Sequence, residues 1–194
     1  MDEALAEATR ARTRAYFLKN GTQASADTVR ARTASAFEAL ERLLDDLTPA
    51  VAARRSISGE WTVHEIIDHL VETDRPTLDE LWCLLAGRRP PGEPIPAGLQ
   101  SMAPFTRPWP WLKRELGRLH ADLLQAVAAA PASFDTTARA PIVMVVNVEG
   151  GPGRTVPYSW IEELDWKSYV IVQRLHVIDH MNQARKVLAA VTTA

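Results

Sequence analysis

The chain has 194 residues, of which 46% are hydrophobic and 24% charged, and its formal net charge at pH 7 is -2. This composition excludes wholesale disorder, and the slight acidic excess argues against a protein that binds nucleic acid through electrostatics. The single cysteine excludes a disulfide framework, and no apolar run is long enough to span a membrane. The N-terminus lacks a basic-then-apolar leader, so we expect one cytoplasmic domain over residues 1–194.

Two stretches near the N-terminus place apolar residues at helical spacing. The first covers residues 1–19 and is expected to end at Asn20-Gly21, a pair typical of helix C-termini. The second runs from about Ser25 to Leu47, just before Pro49. The residues after Pro49 are typical of a loop, so we predict a short N-terminal helix and then the first long helix of the fold.

The clearest helix start in the sequence is Thr62, which has Glu65 three residues after it. This spacing is a capping box, in which each side chain bonds the other residue's backbone N–H, and it predicts a helix from Val63 to about Ala86. Residues 88–110 then hold seven of the 13 prolines, so they cannot form a regular helix. We predict an extended crossover loop there.

The C-terminal half predicts two more long helices with a hairpin between them. A leucine stripe indicates a helix over 111–130, and a β-branched run followed by Gly-Gly-Pro-Gly indicates a β-hairpin within 131–158. Ser159, with Glu162 three residues later, predicts the start of the last helix, which runs to about Ala190. The fold class is therefore all-α: a four-helix bundle with a core over about 25–190, a crossover loop, a short N-terminal helix and a small hairpin insertion.

Three histidines are candidate metal ligands. His176 and His180 lie one turn apart on one face of the last helix, which is a spacing that allows both imidazoles to bind one ion. Val177 replaces the glutamate of the zinc-protease motif, so that class is excluded. His69 lies two turns into the capped helix among apolar neighbours, where it is either a third ligand or a core histidine bonded to a carbonyl or a carboxylate.

The segments Trp61-Thr62-Val63 and His69-Leu70-Val71, together with His176-x-x-x-His180 and Gln183, resemble the signatures of the DinB/YfiT-like superfamily. The resemblance implies a four-helix bundle whose metal ligands are His69, His176 and His180. It also implies relatives that are thiol transferases or isomerases using a low-molecular-weight thiol, and others that are hydrolases.

The expected function is a metal-dependent enzyme, a thiol S-transferase, isomerase or hydrolase, that acts on a small electrophilic substrate. Three imidazoles suit zinc or nickel, with iron also compatible, and they leave part of the coordination shell open to a thiol cosubstrate or water. The alternative is a non-catalytic, stress-related binding module with a structural or vestigial metal site. A homodimer is also expected to be possible, although no motif specifies its interface.

Several polar residues near these histidines are candidates for supporting roles. Glu72, three residues past His69, is expected to act as the catalytic base, to orient a ligand histidine, or to be a solvated carboxylate. Gln183 is expected to hydrogen-bond across the bundle, and Asp179 to be a surface charge. His64 is expected to be exposed and His120 to be a packed histidine.

Overall fold

A computed structural model describes residues 2–130, 134, 137–151 and 153–192 of the chain. In chain order its elements are helix α1 (Glu3–Phe17), a π-helical turn (Leu18–Thr22), α2 (Ala26–Leu44), α3 (Pro49–Ala52), α4 (Val63–Leu85), a 3-10 turn (Pro104–Thr106), α5 (Trp109–Ala129), strands β1 (Ala140–Gly151) and β2 (Arg154–Leu164), and α6 (Trp166–Thr192). Within the described residues, no helix combines the length and the apolar character needed to cross a membrane.

The four long helices α2, α4, α5 and α6 form the predicted bundle. Helices α2 and α4 each pack against both α5 and α6, so the four enclose a common core. Each contributes large apolar side chains that are fully buried, among them Leu40, Ile67, Leu116 and Ile171. Burying one such side chain contributes roughly 1.5–3 kcal/mol, so the shared core holds the four helices together.

The predicted capping box begins α4. The Glu65 backbone N–H donates to Thr62 Oγ1 over 3.2 Å, and the Thr62 backbone N–H donates to Glu65 Oε2 over 2.7 Å. These reciprocal bonds fix the residue at which the helix begins. Because a helix has a fixed period, they also set the face on which His69 lies, two turns further along.

The predicted start of the last helix at Ser159 is wrong. Ser159 pairs with Val145 in the antiparallel ladder of β1 and β2, and α6 begins only at Trp166. Residues 156–164 alternate between exposed and partly buried positions, which is the period of a strand and outweighs the apparent capping box. Asp165 caps α6 instead, because its Oδ1 accepts the backbone N–H groups of Lys167 and Ser168 over 3.0 and 3.2 Å.

The β-hairpin insertion is confirmed, although it is longer than the sequence predicted. Its register runs from Ala140 opposite Leu164 to Glu149 opposite Thr155. Residues 131–133, 135, 136 and 152 of the predicted hairpin segment lie outside the described residues. Hydrogen bonds tie β2 to α1: Arg10 donates to the Tyr158 hydroxyl over 2.7 Å, and Arg14 Nε donates to the Glu162 carboxylate oxygens over 2.9 and 3.1 Å.

Two further boundaries differ from the sequence prediction. The stretch predicted as a loop after the first long helix contains the one-turn helix α3, whose first turn is capped by Thr48 and opens with Pro49. The predicted helix end at Asn20-Gly21 is replaced by a π-helical turn that continues α1 to Thr22. This turn packs against the start of α6.

Gly21 is required where the π-helical turn meets α6. A Cβ at this position would lie 2.5–2.8 Å from Ser168 Oγ, Cα and N, and two of those atoms belong to the backbone. We therefore expect Gly21→Ala to lower the free energy of unfolding by about 2 kcal/mol or more, because the two segments must move apart. Chemical denaturation measures the change.

The matched control for Gly21 is Gly117, inside α5, where a Cβ would meet no atom within 4 Å. Gly117→Ala should raise the free energy of unfolding by about 0.5–1 kcal/mol, because alanine loses less backbone entropy than glycine in a helix. Equal effects at the two glycines would contradict the close approach at Gly21.

Candidate metal centre

The bundle brings together His69 from α4 and His176 and His180 from α6. One nitrogen from each ring lies within 4.8 Å of the corresponding atoms of the other two. The Nε2 atoms of His69 and His176 are 3.0 Å apart, and the ring centroid of His180 lies 4.6 Å from each of the other two. Such a group of three imidazole nitrogens is compatible with binding one divalent metal ion.

Hydrogen bonds fix the orientation of two of these rings. His69 Nδ1–H donates to the carbonyl oxygen of Leu99 over 2.6 Å, and His180 Nδ1–H donates to Gln183 Oε1 over 2.9 Å. Because each Nδ1 carries the proton, each Nε2 keeps its lone pair. The lone pair of His69 therefore faces the Nε2 atom of His176, where a cation would be stabilised. Bonds of this type hold the ligands of metal sites in place in proteins.

The electrostatics of the group favour neutral imidazoles. Burial lowers the pKa of His69, and burial together with the two neighbouring rings lowers the pKa of His176 well below its usual value. Burial, followed by the nearby His69, lowers the pKa of His180 to about 4. A metal ion binds the neutral ring, so at neutral pH few protons have to be displaced from this site.

The proline-rich crossover loop covers α4 beside His69 and supplies the Leu99 carbonyl. Asp68 anchors the loop: its carboxylate accepts the backbone N–H and the hydroxyl of Ser101 over 3.0 and 2.9 Å, and it pairs with Arg107 at 3.1 Å. Asp68 is fully buried, so breaking these bonds would leave an unpaired charge in the interior. Asp68 is not among the residues predicted from the sequence, although an acid between Ile67 and His69 on a buried helix face is a signal of such a role.

Glu72 lies on the same side of α4 as Asp68, one turn further along. Its Oε1 atom pairs with Arg107 at 2.6 Å and with Arg75 at 3.2 Å. Because Arg107 belongs to the crossover loop, the first of these pairs helps to hold the loop against α4. These contacts favour a structural role. The predicted role of Glu72 as a catalytic base stays a prediction.

The other sequence candidates have different outcomes. His64 was expected to be exposed, and this is wrong: it is 5% exposed because the crossover loop covers it, and its Nε2–H donates to the Pro104 carbonyl over 3.0 Å. His120 is buried and stacks on Phe37 with ring centroids 3.7 Å apart, as expected for a packed histidine. Asp179 is exposed. Gln183 bonds His180 on its own helix rather than a residue across the bundle.

A cleft of about 740 Å³ opens beside His176 and His180. It lies between α4, α6, the crossover loop and strand β1. The residues that line it are Thr73, Thr77 and Glu80 of α4, 95–97 of the loop, 141–147 of β1, and Tyr169, Val172, Gln173, Leu175, His176, Asp179 and His180 of α6. The three-histidine group therefore borders a space large enough for a small molecule.

Comparison with known proteins agrees with this architecture. The model of the DinB superfamily matches residues 32–162, which is more than half of the chain. The chain belongs to the DinB superfamily. The matched part of this DinB protein includes His69 but ends before His176 and His180.

Among solved structures, this DinB protein is similar to TT2238, which is described as a four-helix bundle protein. The two share 18% sequence identity with a TM-score of 0.53, and the similarity covers 83% of this chain and 98% of TT2238. At that identity the similarity shows the fold alone. No curated protein matches the sequence.

Gln183 is expected to set the metal affinity through His180. Replacing it in Gln183→Leu removes the acceptor for His180 Nδ1–H, so the ring is free to rotate or to change tautomer. We expect zinc affinity to fall by about 10- to 100-fold, as measured by competition with a chromophoric chelator. The control is Asn182→Ala, at the exposed position before Gln183. Equal zinc affinities for the two variants would show that Gln183 does not position His180.

Proposed function

We propose that this DinB protein is a metal-dependent enzyme that uses the centre formed by His69, His176 and His180. The reaction is the attack of a thiol or a water molecule on a small electrophilic substrate. The observation that supports this proposal is the position of the three nitrogens, which converge at the edge of a cleft of about 740 Å³.

The donor set fits zinc or nickel best, with iron as a third candidate, because all three ligands are imidazole nitrogens. When bound, the ion would act as a Lewis acid and lower the pKa of the thiol or water that it binds. Among the described residues the group supplies three protein ligands, fewer than the four of a structural zinc site, which favours a catalytic site over a structural one.

The chain's own residues position the ligand rings and shape the reaction space. The Leu99 carbonyl and the Gln183 side chain hold the rings of His69 and His180. The loop bonds to Asp68 keep Leu99 in place. The cleft holds the substrate beside His176, which places the reacting group next to the metal ligands.

The test compares metal-free protein, zinc- or nickel-loaded protein and His180→Ala. Each is assayed with a panel of low-molecular-weight thiols against alkylating electrophiles, and with ester and amide substrates for hydrolysis. We expect turnover that requires both the metal and His180.

The control for the activity assay is His64→Gln, which changes another buried histidine of α4 while keeping a donor for the Pro104 carbonyl. It should retain both metal and turnover. A metal-loaded protein that gives no turnover above the metal-free protein, with X-ray absorption showing a shell closed by protein ligands, would favour the non-catalytic binding module.

A further inference from the structure

The cleft has a second polar end, formed by Glu80 and Tyr169. The Tyr169 hydroxyl donates to Glu80 Oε2, and both residues line the cleft. Tyr169 precedes His176 by seven residues on α6, which corresponds to about 10 Å along the helix axis. The cleft therefore extends from the three histidines to a carboxylate roughly two helical turns away.

The charges of the cleft all have one sign. Among the described residues that line it, Glu80 and Asp179 are charged, and none is a lysine or an arginine. A neighbouring pocket of about 370 Å³ shares Glu80 and adds Asp79 and Glu93. The walls therefore attract a cation and repel an anion.

The Glu80 carboxylate can accept a ligand at one of its oxygens. In the described part of the chain its hydrogen-bond donor is Tyr169, which bonds Oε2 and leaves Oε1 available as an acceptor on a residue that lines the cleft. Burial raises the pKa of Glu80, although the bond from Tyr169 opposes this change. A bound ammonium group would stabilise the ionised carboxylate that burial disfavours.

On the β1 side, the wall between the two polar ends is apolar, whereas Thr73, Thr77 and Gln173 line the side formed by α4 and α6. Strand β1 lines the cleft with Ile142, Met144 and Val146, which alternate along the strand and therefore lie on one face of it. Met144 is 7% exposed, which shows how closely this face is covered. This wall favours a ligand with an apolar body between its two polar groups.

We propose that the substrate of the three-histidine centre is an elongated, amine-bearing molecule. Its ammonium group binds Glu80, its apolar body lies along β1, and its reacting group reaches His176 and His180. The identity of the reacting end rests on the proposed function, whereas the preference for an amine at Glu80 can be measured without turnover. An anionic group is disfavoured at the Glu80 end of the cleft by the same charges.

The test uses three probes with one apolar body: phenylbutylamine, phenylbutyrate and phenylbutanol. Binding of each to the full chain is measured by titration calorimetry, with metal-free and with zinc-loaded protein. We expect the amine to bind at least about tenfold more tightly than the carboxylate to the metal-free protein, whereas bound zinc adds a positive charge that a carboxylate can bind. Glu80→Gln keeps an acceptor for Tyr169 but removes the charge, so it should weaken amine binding about tenfold and leave phenylbutanol unchanged.

The control for net charge is Glu38→Gln, on the exposed surface of α2, which should bind the amine like the original chain. In the metal-free protein, equal binding of amine and carboxylate, an amine affinity that Glu80→Gln does not change, or no amine binding at millimolar concentration would each overturn the proposal. Amine binding that requires zinc but not Glu80 would also overturn the proposal, because the amine would then bind the metal and not the carboxylate. Failure of the thiol and hydrolysis assays would leave the amine preference measurable, so the two proposals can fail separately.

Discussion

His176→Ala should abolish the binding of zinc or nickel at micromolar metal concentrations. His176 is the ring whose Nε2 lies 3.0 Å from His69 Nε2, and it also lies next to His180, so its loss leaves two nitrogens on different helices. We expect metal affinity to fall by about a hundredfold or more. Elemental analysis after gentle purification and chelator competition measure the change.

The matched control for His176 is again His64→Gln, because His64 is a buried histidine that lies outside the three-histidine group. It should bind as much metal as the original chain. Circular dichroism shows whether each variant is folded before its metal content is compared. If His176→Ala retains its metal, or if the unaltered protein binds none when metal is supplied, the assignment of the centre is wrong.

Asp74→Asn should change how the stability of the bundle depends on pH. Asp74 is buried between α4, α5 and α6, where Gln173 Nε2 donates to its Oδ1. Its Oδ2 lies 3.7 Å from His120 Nε2, and in the described part of the chain neither of these two atoms has a hydrogen-bond partner. Tyr169, on α6, also faces this carboxyl.

Burial raises the pKa of Asp74 from 3.8 to about 7, although His120 opposes this change. Between these two pH values the folded chain keeps the proton that the unfolded chain has lost. The contribution of Asp74 to the free energy of unfolding is therefore complete below about pH 4, falls as the pH rises, and is lost above about pH 7. The difference between these two pKa values corresponds to a contribution of at most about 4 kcal/mol to the free energy of unfolding.

Asparagine has the shape of the protonated carboxyl but does not titrate. Its Oδ1 can accept from Gln173, and its Nδ2–H can donate to His120 Nε2, because His120 Nδ1–H already donates to Glu41 over 2.6 Å. We expect Asp74→Asn and the original chain to be about equally stable near pH 4. Above pH 7 the variant should be more stable by up to about 4 kcal/mol.

The measurement for Asp74 is urea denaturation of both proteins between pH 4 and pH 8, in the same metal state. The comparison with the variant is needed because burial lowers the pKa values of His69, His176 and His180, which makes stability rise with pH in the acidic range. The contribution of the three histidines is the same in both proteins, so it cancels when the free energy of unfolding of the original chain is subtracted from that of the variant. Stability curves that stay parallel across this range would show that Asp74 titrates normally.

Local patterns in the sequence predicted the parts of the fold that depend on nearby residues. The capping box at Thr62 and Glu65 fixed the start of α4, and the spacing of His176 and His180 placed both rings on one helix face. The same type of pattern gave a wrong helix start at Ser159, because a serine followed three residues later by a glutamate also occurs by chance in a strand. The pairing of Ser159 with Val145 in the neighbouring strand of the hairpin sets the conformation of that segment, and the spacing of Ser159 and Glu162 alone does not indicate how far the hairpin extends.

The supporting residues of the site could not be predicted in the same way. Leu99 bonds His69 across 30 positions, and Tyr169 bonds Glu80 across 89. Asp68 and Glu80 look like ordinary helix carboxylates in the sequence, and only the packing of the loop and of α6 gives them partners. The exposure of His64 was wrongly predicted for the same reason: the crossover loop, about 40 residues later in the sequence, covers its side chain.

The bond between His69 and position 99 is made by a peptide carbonyl, not by a side chain. Every amino acid has a backbone carbonyl, so a substitution at position 99 cannot remove the acceptor. The position of the carbonyl depends instead on the path of the crossover loop. Leu99 can therefore be replaced by other residues without loss of this bond. An insertion or deletion between residues 88 and 107 would instead move the carbonyl and rotate the His69 imidazole. Length variation in this segment should be far less tolerated than sequence variation.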